Sequence, residues 1–343
     1  MRNSKKLTLL AGVLSACMLM STSAAAKDKP LAKIRIIGTL PLKSYATTAL
    51  RNFKKDVETG TQGKLEVDIF PAGQLYNDVD AVKVIPTGAV DMGVVNMDFW
   101  TGLVPSAGIL YMPTYYKNLK HFYAVRDFVT PIIDKDLEKR GNVKLLGWYD
   151  YDSEALISKK KILKLEDFKG TKLRGYGQYA ATFLQAVGSS PVVMSSTEAY
   201  DAMAKGVIDG SMSGPTSHLA RKFYEVGKYL IDQSNFIQPM FSYGIVINLD
   251  SWKKLTPEMR KSVEQASKDM QTSSQSVVLK DSAAAIAKLK QKGVVIIKQL
   301  DPAQFERIKE KVWPALEAKY IGQVGAAEAK PILEKVNAMR AQY

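Results

Sequence analysis

Hydrophobic residues recur along the chain with two alternating periods. Lys33 to Gly38 reads as a strand, and Leu65 to Phe70 alternates apolar and polar residues as a half-buried strand does. Between them, Tyr45 to Glu58 puts Ala49, Leu50, Phe53 and Val57 on one helical face, and Thr59-Gly60 stops the helix. Pro71-Ala72-Gly73 breaks the second strand. A helix from about Asp78 to Ile85 and a strand from Val90 to Val95 complete a βαβαβ series, which predicts a mostly parallel sheet covered by helices.

A second series follows. Asn118 to Arg140 reads as a helix, Val143 to Trp148 as a strand and Ala155 to Ser158 as a short strand. Lys172 to Tyr176, Pro191 to Met194 and Val207 to Met212 read as strands, separated by helices at Gln178 to Val187 and Thr197 to Lys205. This restart places a domain change near Trp148 to Asp152. Phe241 to Asn248 is a late strand. A long, Ala-rich amphipathic helix runs from Thr256 to about Lys290, with Thr256 as its N-cap and Pro257 at its first position. Val294 to Ile297 is a further strand, and two helices close the chain. The 343 residues exceed a single core, so two domains are expected. No low-complexity linker separates them, which predicts several crossings through short hinge segments.

The first residues stand apart from this pattern. Arg2, Lys5 and Lys6 precede an apolar run from Leu7 to Met20, and a small-residue stretch ends in Ala24-Ala25-Ala26. Residues 1–26 therefore read as a secretory signal cut after Ala26. Leu14-Ser15-Ala16-Cys17 offers the alternative of lipid anchoring at Cys17, but the apolar run continues past it, which favours simple cleavage. Either route places the mature protein outside the cytoplasm, in the periplasm. Cys17 is the only cysteine, so no disulfide, cysteine nucleophile or cysteine metal site is expected in the mature chain. His121 and His218 carry no catalytic or metal signature and are expected at the surface or half-buried. No cofactor or metal is expected. Loss of Arg2, Lys5 and Lys6 takes the net charge from +14 to +11. Export argues against nucleic acid as the partner, and the positive field favours anionic ligands. An exported, two-lobed α/β chain fits a clamshell that holds its ligand between the lobes, at strand ends and helix starts.

Four stretches carry a more specific signal. Thr61-Gln62-Gly63-Lys64-Leu65 precedes Phe70-Pro71-Ala72-Gly73-Gln74-Leu75. Leu165-Glu166-Asp167-Phe168-Lys169-Gly170-Thr171-Lys172-Leu173-Arg174 follows. Then come Glu198-Ala199-Tyr200-Asp201-Ala202-Met203 with Gly206-Val207-Ile208-Asp209-Gly210, and finally Phe223 to Leu230. In order and spacing, over about Lys33 to Trp252, these resemble the periplasmic solute receptors of tripartite ATP-independent periplasmic (TRAP) transporters, the DctP-like family. The resemblance implies a periplasmic-binding-protein clamshell with hinge strands and a long helix spanning both lobes. Lobe I would hold 27–150 and about 239–279, and lobe II 151–238 and about 280–343. It implies a binding receptor and no enzyme, with a small organic carboxylate as ligand and the membrane subunits of a TRAP transporter as partners. An exported enzyme acting on a small acid would need a nucleophile–base pair or a metal cluster, and the sequence offers neither. A ligand-sensing module would share the same binding chemistry.

The resemblance also implies a role for Arg174, since the family grips its substrate carboxylate with the arginine of this motif. A guanidinium fork matches a carboxylate two-to-two, which lysine cannot do. The Gly175-Tyr176-Gly177 that follows lets backbone approach a ligand. Many members carry a second arginine where this chain has Ser153, beside Glu154. Where they have asparagine and an aromatic, this chain has Ser213 and Ser195-Ser196. With one cation, and with Lys43 as the candidate for another, a monocarboxylate is expected over a dicarboxylate. Aromatics at strand ends and loops (Tyr76, Trp100, Trp148, Tyr149, Tyr151, Tyr176, Phe241) suggest an aromatic or hydrophobic body on the ligand. The expected ligand contacts are Arg174, Tyr76, Asn96, Trp148, Ser153, Tyr176, Ser196 and Ser213.

Overall fold

The computed structural model describes residues 29–232, 240–298 and 300–343. The proposed signal, with Cys17 and the Ala26 cleavage point, lies outside them. In chain order the first elements are β1 (Ala32–Gly38), α1 (Tyr45–Gly60), β2 (Leu65–Phe70), α2 (Asp78–Val84), β3 (Met92–Val95), α3 (Leu119–Gly141), β4 (Val143–Asp152) and β5 (Ala155–Ser158). There follow β6 (Lys172–Gly175), α4 (Gln178–Ala186), β7 (Ser190–Val193), α5 (Ala199–Ala204), β8 (Gly210–Ser213), α6 (Pro215–Ala220) and β9 (Tyr229–Asp232). The last are β10 (Phe241–Asn248), α7 (Leu249–Lys254), α8 (Pro257–Gln291), β11 (Val295–Ile297), α9 (Pro302–Val324) and α10 (Ala326–Arg340).

Two sheets result, ordered β2-β1-β3-β10-β4 and β11-β9-β5-β8-β6-β7. Each has a parallel part built from βαβ units and an antiparallel insertion, β10 in the first and β5 in the second. The fold is the expected two-lobed α/β clamshell. The helices start where the chain supplies caps: the Ser44 hydroxyl accepts from the Thr47 N–H at α1, and Asn77 with Asp80 forms a capping box at α2. The face of α1 that the periodicity marked is the buried one.

The hinge explains how the lobes are tied. β4 continues to Asp152, four residues past the expected strand end at Trp148. Ser153 and Glu154 then cross to β5 in the second sheet. The chain returns between β9 and β10. The 35 residues of α8 span about 52 Å at 1.5 Å per residue, enough to pack on α1 and β4 at one end and reach α6 and β11 at the other. Asp152 pins the crossing. Its carboxylate accepts from the Thr216 N–H at 2.8 Å, the Thr216 hydroxyl at 2.6 Å, the Ser153 N–H at 3.0 Å and the Ser282 hydroxyl. A side chain at Gly214 would strike it, since a Cβ there falls 2.1 Å from Asp152 Oδ2.

Three features differ from the sequence reading. α6, β9 and α7 were not expected: helices of six residues and a strand of four leave little period to detect. The terminal helices do not belong to lobe II alone. α9 packs on α4, but Tyr115, next to the first sheet, donates to Glu317 at 2.7 Å, and His121 of α3 meets the Val336 carbonyl at 3.1 Å. Finally, both histidines are fully buried. His218 contacts the Ala155 carbonyl, and burial lowers its pKa to about 4, so it is neutral there.

Candidate functional site

The strand ends of both sheets meet across a cleft. Asp78 and Asn96 line it from the first lobe. Arg174, Tyr176, Ser196 and Ser213 line it from the second, and Tyr151, Phe241 and Tyr243 line it from the hinge strands. The lining is tight, with about 10 Å³ open among these side chains. Larger surface concavities, beside Arg51 and Lys55 and between α3 and α10, lie away from this gap.

Arg174 is the penultimate residue of β6, with its side chain buried. Nε and Nη2 donate to the Met194 carbonyl at 3.0 and 2.9 Å, and Nη1 donates to the Met212 carbonyl at 2.8 Å. Main-chain acceptors thus fix the fork, and among the described residues no carboxylate pairs with it. Burial opposes its charge and nearby Asp78 supports it, but a guanidinium does not lose its proton in a protein. A buried, aimed and unpaired cation calls for an anion. Asp78, at the start of α2, accepts from Thr39 Oγ1 at 2.6 Å and, across the cleft, from Ser195 Oγ at 3.3 Å. Burial raises its pKa, against the pull of those hydroxyls and of Arg174 and Arg221.

The lobes also touch directly. Asp98, beyond β3, accepts from the Tyr179 and Ala180 N–H groups at 3.0 and 3.3 Å, capping α4 from the opposite lobe. Asn96 Nδ2 donates to the Tyr176 carbonyl at 3.3 Å. Gly177 therefore serves lobe contact, since a Cβ there would sit 2.3 Å from the Asp98 carboxyl carbon, while Gly175 lets β6 approach Ala180 and Ala181 of α4. Gly177→Ala is expected to hold the lobes apart, weakening ligand binding about tenfold or more. Calorimetry alongside small-angle scattering checks this; native affinity with full compaction on ligand addition contradicts it.

Burial raises the Asp98 pKa to about 7, despite the two N–H bonds and the charge of Lys319. In an opened cleft the carboxyl returns to water and to its ordinary acidity near 3.8. Closure then takes up a proton. Its favourable contribution is complete below the ordinary value and is lost as pH rises through about 7. Affinity is expected to fall as pH rises from about 4 to about 7 and to level off above that, and Asp98→Asn should flatten that slope. Titrations across this range decide it, and a slope unchanged in the variant rules Asp98 out as its source.

Of the expected contacts, Asn96, Arg174, Tyr176, Ser196 and Ser213 reach the cavity, and three do not. Trp148 turns toward α3, where its indole N–H donates to Thr130 Oγ1 at 2.9 Å, because alternation along β4 gives the cleft end to Tyr151. Ser153 faces the hinge, its hydroxyl 3.5 Å from that of Ser282. Tyr76 is half-buried against the first-lobe core. Glu154 is buried beneath Tyr176, whose hydroxyl donates to it at 3.2 Å, and burial raises its pKa well above the usual carboxylate range. Burial thus opposes its charge, and it does not line the cavity. Lys43 is exposed. The sequence reading missed Asp78, Asp98, Tyr243 and Arg221. A carboxylate opening a helix after the Phe70–Leu75 motif was a usable signal for Asp78. Arg221 carried none in so basic a chain.

Residues 38–323 match the model of bacterial extracellular solute-binding proteins, family 7 (DctP). The chain belongs to this family. Its members are substrate-binding receptors of TRAP transporters, not enzymes, and they bind small organic acids outside the cytoplasm. Among the receptor's relatives are an uncharacterized Haemophilus influenzae protein, 27% identical over 87% of this chain and 89% of that one, and the C4-dicarboxylate-binding periplasmic protein DctP of Rhodobacter capsulatus, 23% identical over 81% and 85%. A Desulfovibrio salexigens TRAP receptor with bound orotic acid superposes with a TM-score of 0.83 at 22% identity, covering 90% and 99%. One from Pseudomonas putida F1 with bound D-glucuronate superposes at 0.79 and 25% identity, covering 89% and 97%. Among the described residues, no helix of the receptor is long and apolar enough to cross a membrane.

Proposed function

We propose that this receptor binds a small, hydroxylated monocarboxylate in its interlobe cleft and presents the closed form to the membrane subunits of a TRAP transporter. The observation that carries this reading is Arg174, a buried guanidinium oriented by the Met194 and Met212 carbonyls and left without a carboxylate partner. The ligand's carboxylate completes it. Asp78 opposes a second carboxylate, so one negative charge suits the cavity, as the sequence suggested for a different reason. The ligand's body departs from the aromatic or hydrophobic expectation. Tyr151 and Tyr243 each carry a hydroxyl, and Asp78, Asn96, Ser196 and Ser213 add acceptors and donors, a lining suited to hydroxyl groups. The D-glucuronate in the Pseudomonas putida F1 relative is such an acid. Mass spectrometry of the ligand released from protein purified under native conditions tests this. An unchanged hydroxylated monocarboxylic acid is expected; an aromatic acid or a C4 dicarboxylate would overturn the assignment of ligand class.

A further inference from the structure

Arg221 follows α6 in the second lobe and reaches across the cleft. Its Nη2 donates to the Thr39 carbonyl of the first lobe at 2.6 Å and to Ser196 Oγ, on the cavity wall, at 3.3 Å. Its Nε is buried and meets no acceptor among the described residues. A buried charged donor without an acceptor is costly, and the cost is relieved when an oxygen arrives. Arg221 also shares the electrostatic neighbourhood of the cavity: its charge favours ionised Asp78 and opposes the charge on Arg174. Two guanidiniums and one carboxylate leave the site at +1 when all are ionised, which one ligand carboxylate on Arg174 neutralises. The second guanidinium is thus not matched to a second carboxylate. It is matched to a neutral oxygen.

We propose that Arg221 is a second ligand-reading residue, which fastens the closed cleft over a hydroxyl or carbonyl oxygen that the ligand carries away from its carboxylate. The inference rests on the assignment of the cleft as a carboxylate site, and it names sugar acids and related oxygenated monocarboxylates as the class selected. A plain aliphatic acid satisfies Arg174 and leaves Arg221 Nε unmet.

The test is calorimetric titration of the full chain, wild type and variants, with D-glucuronate, D-erythronate and hexanoate. Wild type is expected to prefer an oxygenated acid to hexanoate by about tenfold or more. Arg221→Gln should lose about that factor more for the oxygenated acid than for hexanoate, which loses only the contact to the Thr39 carbonyl, and Arg221→Lys should recover part of the loss. Wild-type affinity of Arg221→Gln for the oxygenated acids overturns the proposal. So does an equal loss for hexanoate, which would make Arg221 a lobe-closing contact alone. Arg174→Ala separates the two readings: if it abolishes binding of every acid while Arg221→Gln changes nothing, the carboxylate assignment stands and this one falls. Wild type binding none of these acids overturns both. Thermal melts of each variant establish that it is folded.

Discussion

Arg174→Ala is expected to weaken acid binding by about 2–5 kcal/mol, the usual cost of truncating one partner of a buried charge pair, or about 30- to 4,000-fold in Kd. The fold should survive, because the Met194 and Met212 carbonyls that lose their donor lie at strand ends where water enters the emptied space. Arg174→Lys should restore little. An ammonium cannot hold two carbonyls on one side and offer a parallel pair of N–H bonds on the other. Calorimetry with the wild-type ligand decides it, and near-native affinity in the alanine variant contradicts the assignment.

Arg126→Ala should act on stability instead. Arg126 of α3 and Asp150 of β4 are both buried, with Nη1 donating to Oδ1 at 2.7 Å and to Ser242 Oγ of β10 at 3.0 Å. The guanidinium also lies 4.5 Å from the Tyr123 ring centroid. Removing it strands a carboxylate in the first-lobe core, at an expected cost of about 3–5 kcal/mol. Denaturant melts should show this loss. A double replacement of Arg126 and Asp150 by apolar residues should recover much of it, since the penalty comes from the unpaired charge. A native midpoint in Arg126→Ala would contradict the account of this pair.

The architecture was legible because it is written in local periods. The face of α1, the alternation of β2 and the Thr256-Pro257 start of α8 each follow from a few consecutive residues. Arg174 was legible only through its motif. The rest of the cleft was not legible, because it depends on what the two lobes bring together. Asp98 and Gly177 lie far apart in the chain, and nothing in either says that one caps the helix after the other. Trp148 and Ser153 were misplaced for a related reason. Position at a strand end says that a residue is near the cleft, while the pleat and the bend at Asp152 decide which way it faces. The ligand class moved from aromatic to hydroxylated once the aromatic walls proved to be mostly tyrosines set among polar side chains.

The central claim is that Arg174 makes this cleft a carboxylate site. It is tested most directly by titrating the receptor with D-glucuronate and, in parallel, with D-glucose, which differ by the carboxylate. The account predicts 1:1 binding of the acid and none of the neutral sugar, with the acid's binding lost in Arg174→Ala. Binding of glucose with an affinity equal to that of the acid, undiminished in the variant, would contradict it.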